Sequence, residues 1–203
     1  MSENPLLLVV MIVASAALFH LWWGDLRAAR AGHPNPRAFP GAAPCPCRLL
    51  VVAVLGSALL LAIETSGEHA LGLTAQQKTV TVLWSLYTFA AAFTEELAFR
   101  GFLVIANRGH AALRGSIMGF SVVFALAHPF LWSWTDGRLE FAFTVKGWFS
   151  TAMVFVGSLW FYALRFTTFN PARSLLPCIV AHLTKNLGVF AVKAAAGFVS
   201  GWY

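Results

Sequence analysis

The run from Thr79 to Asn107 constrains this chain more than any other stretch. It is apolar and long enough to cross a bilayer, yet its middle reads Thr94-Glu95-Glu96-Leu97-Ala98-Phe99-Arg100-Gly101. Ionisable side chains at mid-bilayer are costly unless they face a protected interior, so such a cluster marks a functional site by default. Helical spacing separates the two carboxylates. Glu96 and Arg100 stand at i,i+4 with the acid first, the order that lets them neutralise each other on one face. Glu95 points about 100° away and has no partner on its own helix. It is the free carboxylate, and its partners must come from elsewhere in the chain.

The composition sets the surroundings of that cluster. Of 203 residues, 59% are hydrophobic and 11% charged, with a mean hydropathy of +0.72. A soluble domain carries about 25% charged residues, so the expected fold class is all-α, a polytopic membrane bundle of about six transmembrane helices, seven at most. The spans read Leu6–Trp23, Arg48–Ile63, Thr79–Asn107, Gly115–Trp134, Val145–Phe166 and Ala172–Gly201. Trp22-Trp23, Trp132 and Trp134 fall where interfacial anchors belong, and Glu64 to Gln77 reads as an acidic loop. The formal charge of +6 is no nucleic-acid signature, because the arginines gather in the loops after the first, third and fifth spans. The positive-inside rule then makes those loops cytoplasmic and both termini extracytoplasmic, in a plasma membrane of the bacterial inner-membrane kind. The N-terminus lacks a basic n-region, so the first apolar run is expected to be retained. Cys45, Cys47 and Cys178 make an odd count without a second C-x-x-C, and read as free thiols. No metal and no cofactor is expected.

Partners for Glu95 are found on two later spans. Phe124-Ala125-Leu126-Ala127-His128 ends the apolar part of the fourth, and the sixth holds His182-Leu183-Thr184-Lys185-Asn186, in which His182 and Asn186 share a face at i,i+4. Counted from the nearest basic loop residue at ~1.5 Å per residue, Glu95, His128 and Asn186 each lie ~20 Å in, with His182 one turn short of that. An acid, two imidazoles and an amide therefore reach similar depth. A carboxylate beside an imidazole can hold and deprotonate a water, and a second imidazole with an amide can stabilise an oxyanion or protonate a leaving amine. That is the equipment for water attacking a peptide bond.

Glu95-Glu96-x-x-x-Arg100, Phe124-x-x-x-His128 and His182-x-x-x-Asn186, in this order on three spans, resemble the motifs of the CPBP family of intramembrane glutamic proteases. That family comprises CAAX prenyl endopeptidases and bacteriocin-processing or immunity-type relatives. The stretch from Gly157 to Asn186, with Tyr162, Thr167, Thr168 and Ser174-Leu175, resembles the family's last motif region. The resemblance runs from about Trp84 to Leu187 and divides the chain into N-terminal helices with a basic loop, 1–78, and a CPBP-like core, 79–203. Carried over by position, it implies that Glu95 activates water with His128 as partner. It implies that His182 and Asn186 bind the oxyanion, and that Glu96 and Arg100 hold the site's architecture; Phe124 packs beside His128. The implied substrate is a membrane-embedded or lipid-anchored protein, cut near a C-terminal sorting signal or a CAAX-like tail.

Three rival readings share these residues. Glu95, His128 and His182 could supply zinc with two nitrogens and one oxygen, although H-E-x-x-H is absent. Cys178, His182 and Asn186 form a stripe on one helix face, and Gly119-Phe120-Ser121 contains a G-x-S, so a thiol or serine nucleophile is the second. The third is a non-catalytic immunity, scaffold or transport protein using the polar cluster for packing or proton transfer. His20, His33, His69 and His110 lie near ends or loops and read as solvated. Lys185 either snorkels or pairs with a carboxylate, and Lys193 is expected to snorkel outward.

Overall fold

A computed structural model describes residues 4–203. Six helices run back and forth: α1 Pro5–Arg30, α2 Cys47–Ala70, α3 Val82–Glu95, α4 Gly109–Ala127, α5 Val145–Phe166 and α6 Leu176–Ala195. All except α3 are long and apolar enough by themselves to cross a membrane. The α3 helix reaches comparable length because it continues without a break as a π-helix, Glu96–Leu103. The protein is thus an integral membrane helical bundle. Large apolar side chains such as Leu6, Leu7, Val13, Leu55, Leu59 and Phe102 stand on its outer surface, where lipid is the solvent.

The helix starts are specified locally. Asn4 caps α1, its side chain accepting from the backbone of Leu6 at 3.0 Å, with Pro5 in the first turn. Thr81 does the same for α3 through Trp84, and Thr144 for α5 through Gly147. Arg27 and Arg30 occupy the last turn of α1, where cations favour the helix dipole. Between α4 and α5 the chain forms a two-stranded antiparallel hairpin, β1 Trp132–Thr135 and β2 Arg138–Phe141. Its turn is Asp136-Gly137, both with positive φ, which is the type I′ geometry that matches strand twist.

Several sequence expectations are corrected here. The second span does not stop at Ile63: α2 runs to Ala70, so Glu64 and Glu68 are helical. They are tolerated because Glu64 pairs with Lys185 of α6, and Glu68 with Lys146 of α5 and with Gln77. Lys185 therefore pairs rather than snorkels, and the Lys193 ammonium donates to the Lys78 carbonyl at 2.6 Å. Trp22 is no interfacial anchor; it is fully buried against Phe93, its indole donating to the Pro40 carbonyl at 3.2 Å. The fourth span ends at Ala127, and Trp132 and Trp134 belong to the hairpin. The sixth is Leu176–Ala195 rather than Ala172–Gly201.

Two sets of contacts close the ends of the bundle. At the arginine-rich end, the Asn170 side chain ties the α5–α6 turn through Leu164, Arg165 and Ser174, and Ser174 donates to Ala43. At the hairpin end, the segment after α6 folds back in parallel beside Val80. The main core gathers Trp22, Leu26, Phe93, Leu97, Phe161 and Leu175, directly beneath the polar cluster of α3.

Candidate active site

Helix α3 changes winding at the glutamate pair. It is α-helical through Glu95 and π-helical from Glu96, and single π turns recur at functional sites because they re-aim side chains. Both carboxylates reach His182 of α6. His182, nearly buried, meets them with its two ring nitrogens: Nδ1 lies 2.8 Å from Glu96 Oε1 and Nε2 lies 3.7 Å from Glu95 Oε2. The first is a hydrogen bond. The second is a gap too long for one, next to a Glu95 side chain that is 32% exposed. An ionised Glu96 can only accept, so Nδ1 carries the proton and Nε2 is the nitrogen turned toward the open side of the site. The imidazole nearest to Glu95 is that of His182 on α6 rather than that of His128.

Glu96 is fully buried, and so is its second partner. Arg100 NH1 lies 3.2 Å from Glu96 Oε1. Its NH2 donates to the Ser158 hydroxyl at 2.6 Å and to the Ser158 carbonyl at 3.3 Å, and Ser158 donates in turn to Ser121 at 2.9 Å. Aromatic faces enclose the guanidinium, with its carbon 4.4 Å from the Phe124 centroid, 4.8 Å from Tyr162 and 5.3 Å from Phe161. A cation sealed in this way is compensated by one carboxylate, a hydroxyl and ring quadrupoles. The π-helix leaves its last carbonyls open. The Tyr162 hydroxyl donates to Phe99 at 2.8 Å, and Arg165 donates to the Arg100 carbonyl, placing a cation at a helix C-terminus.

His128 follows the last residue of α4. Its Nδ1 is 2.8 Å from the Phe124 carbonyl, so that nitrogen is again the protonated one and Nε2 is left as an acceptor. Phe124 is the hinge between the two imidazoles, 4.8 Å from the ring of His128 and 6.0 Å from that of His182. Asn186 sits one turn beyond His182, with one amide N–H donated to the Thr88 carbonyl at 3.0 Å, which leaves the other free. It does not bond His182.

Glu95, Glu96, Arg100, Phe124 and His182 thus form one contact network, His128 joins it through Phe124, and Asn186 stands at its edge. Two rival nucleophiles are sealed away: Cys178 is fully buried with its thiol on the Phe161 carbonyl at 3.1 Å, and Ser121 is fully buried in the serine pair. Among the described residues, no three His, Cys, Asp or Glu side chains converge as a metal-ligand set. His20, His33, His69 and His110 are all exposed.

Of the α5 face that supports this network, only Tyr162 stood out in the sequence. Ser158, Phe161, Tyr162 and Arg165 lie at i, i+3, i+4 and i+7, and all contribute to holding Arg100 or His182; Phe161 stacks on His182 at 4.9 Å. The signal was present as polar residues recurring at helical spacing inside an apolar span.

A family model described as Rce1-like, type II CAAX prenyl endopeptidase, matches residues 77–188, more than half of the chain. No curated protein and no solved structure matches it.

Proposed function

The chain belongs to the Rce1-like type II CAAX prenyl endopeptidase family, a family of peptide hydrolases, and from that premise we propose that it is an intramembrane glutamic endopeptidase in which Glu95 activates a water molecule. The observation that carries this reading is the asymmetry of the glutamate pair. Glu96 is buried and spent on His182 and Arg100, whereas Glu95 is partly open and faces the free side of an imidazole.

In this mechanism a water held by Glu95 and by Nε2 of His128 attacks the carbonyl carbon of the scissile peptide. The water's proton passes to the Glu95 carboxylate as the new C–O bond forms. The developing oxyanion is received by the unused N–H of Asn186 and, when the ring is fully protonated, by Nε2–H of His182. Collapse breaks the C–N bond, and the proton on Glu95 moves to the leaving amine. No acyl-enzyme forms. The substrate is a membrane-anchored or lipidated protein, cut near a C-terminal sorting signal or CAAX-like tail. The arginine-rich end of the bundle faces the cytoplasm, in a bacterial inner membrane.

Glu95→Gln is the decisive variant. It keeps shape and hydrogen-bonding capacity but cannot take the water's proton. Host membranes carrying wild type or Glu95→Gln at matched expression are compared by mass spectrometry of protein termini. The expected result is at least one membrane protein with an uncleaved terminus in the variant. Identical termini, with a phenotype that survives the mutation, would return the cluster to a packing or transport role. Cleavage lost in strong chelator would move the reading to a metalloenzyme.

A further inference from the structure

The hairpin that follows His128 takes no part in the steps above. We infer that the open edge of β1 is a docking site for the substrate's backbone: the scissile segment, drawn out of its membrane helix, adds to the hairpin as a third strand beside Trp132–Thr135. This rests on the peptidase reading of the site.

The register fixes which groups are offered. Trp132 pairs with Phe141, Ser133 with Glu140, Trp134 with Leu139 and Thr135 with Arg138. Hydrogen-bonded and non-hydrogen-bonded pairs alternate along an antiparallel ladder, and the Ala142 N–H donates to the Leu131 carbonyl. Counting from that bond, Ser133 and Thr135 turn their backbone groups inward, whereas Trp132 and Trp134 turn theirs to the outer edge. Among the described residues, no other backbone group bonds those of Trp132 and Trp134. Helices do not cover the hairpin, whose extensive contacts are between its own strands, and its side chains are exposed except for the half-buried Trp132 and Ser133.

Position and chemistry then name the occupant. Trp132 is four residues from His128, so the strand begins within about 13 Å of chain from the site. The edge of β2 has no such continuity and leads on to α5. Attack on a peptide carbonyl requires that the bond leave its helical hydrogen bonds, and inside a bilayer every freed N–H and C=O costs several kcal/mol unless it finds a partner. An unpaired strand edge that begins four residues after His128 supplies those partners. The exposed Phe141, Phe143 and Trp148 keep the hairpin at the membrane interface, where an anchored substrate emerges.

The substrate used in the test is the membrane protein whose terminus changes between wild-type and Glu95→Gln cells, purified and mixed with each variant in detergent. Trp134→Pro removes one outward N–H and fills the edge without breaking the ladder, since proline is accepted at strand edges. It is expected to lower kcat/KM about tenfold, the worth of one to two backbone hydrogen bonds. Trp134→Ala and Leu139→Pro, which spare the edge of β1, are expected to stay within about threefold of wild type. Photoreactive residues placed singly along the substrate and mixed with Glu95→Gln protein should cross-link to Trp132–Thr135 at alternate positions, and this experiment leaves the hairpin native. Trp134→Pro at the wild-type rate, a loss in Trp134→Ala as large as in Trp134→Pro, or no cross-link to β1 overturns the docking edge while Glu95→Gln still marks a protease. Unchanged termini in Glu95→Gln cells would defeat the peptidase reading, and the docking edge with it, on a result in which the hairpin has no share.

Discussion

Two adjacent glutamates differ here by what surrounds each. Glu96 is fully buried, bonded to His182 and ion-paired with Arg100, which meets no other carboxylate among the described residues. Replacing it by glutamine keeps an acceptor for His182 but leaves the guanidinium as an uncompensated buried cation, a change that costs about 3–5 kcal/mol. Glu95 is 32% exposed, and the imidazole it faces, that of His182, stands across a 3.7 Å gap. Glu95→Gln is expected to move stability by less than about 1 kcal/mol, as substitutions without a buried partner do. Thermal unfolding of the two variants in the same detergent should therefore separate them widely, with Glu96→Gln melting far below wild type and Glu95→Gln close to it. Equal midpoints would mean that Arg100 is compensated by its aromatic cage and Ser158 alone.

At the scale of elements, the bundle packs by close approach at small residues. Gly56 of α2 lies flat on the Trp160 ring of α5, and a methyl group there would stand 2.2 Å from the nearest ring carbon. Gly188 of α6 meets Leu61 of α2 in the same manner. Small residues at such crossings let helices pack without a hydrophobic driving force. Gly56→Ala must push the indole aside and is expected to destabilise by about 1–3 kcal/mol, the range for overpacking. Gly119→Ala, on an open face of α4 with nothing within 4 Å, should be neutral or stabilising. Paired melting curves check this contrast.

The same elements show what a sequence can disclose. The α5 helix was legible to its last residue, because Thr144 caps it and apolar residues fill it. Glu95, Glu96 and Arg100 were legible as a cluster because charge inside an apolar run stands out. The extension of α2 to Ala70 was not, since the acids that seemed to end it are paired with lysines 121 and 78 residues away. The π-helix left no trace either: Glu96 and Arg100 read equally well as an α-helical i,i+4 pair, and only the turn of both glutamates toward one imidazole reveals the altered winding. The start of the hairpin was hidden at the end of an apolar span and the rest of it in the loop that follows, although Asp136-Gly137 was its turn signal.

Across the whole molecule, the helix that carries Glu95 is fastened at both ends by distant chain. Its π-helical end is held by Tyr162 and Arg165 of α5. Its start is held by the segment beyond α6: the N–H groups of Val80, Val82 and Leu83 donate to the carbonyls of Phe198, Gly201 and Trp202, and Ser200 donates back to Val80. Val82 and Leu83 open α3, so two of the donors that a helix start leaves unmet are satisfied by this returning strand. The contact fixes the tilt of α3 without touching the glutamates. Removal of residues 197–203 takes away these four backbone hydrogen bonds and the two from Gly197 and Phe198 that cap the end of α6; those to α3 are each worth about 1 kcal/mol. The truncated protein is expected to unfold earlier by roughly 2–4 kcal/mol, and well below its melting point to hydrolyse substrate within about threefold of wild type. Hydrogen exchange tests the cause directly, because the amides of Val80, Val82 and Leu83 should lose protection while those in the middle of α6 keep theirs. Exchange that rises equally through α3 and α6 would mean instead that the returning strand holds the two helices together, and that the bundle opens there as one unit.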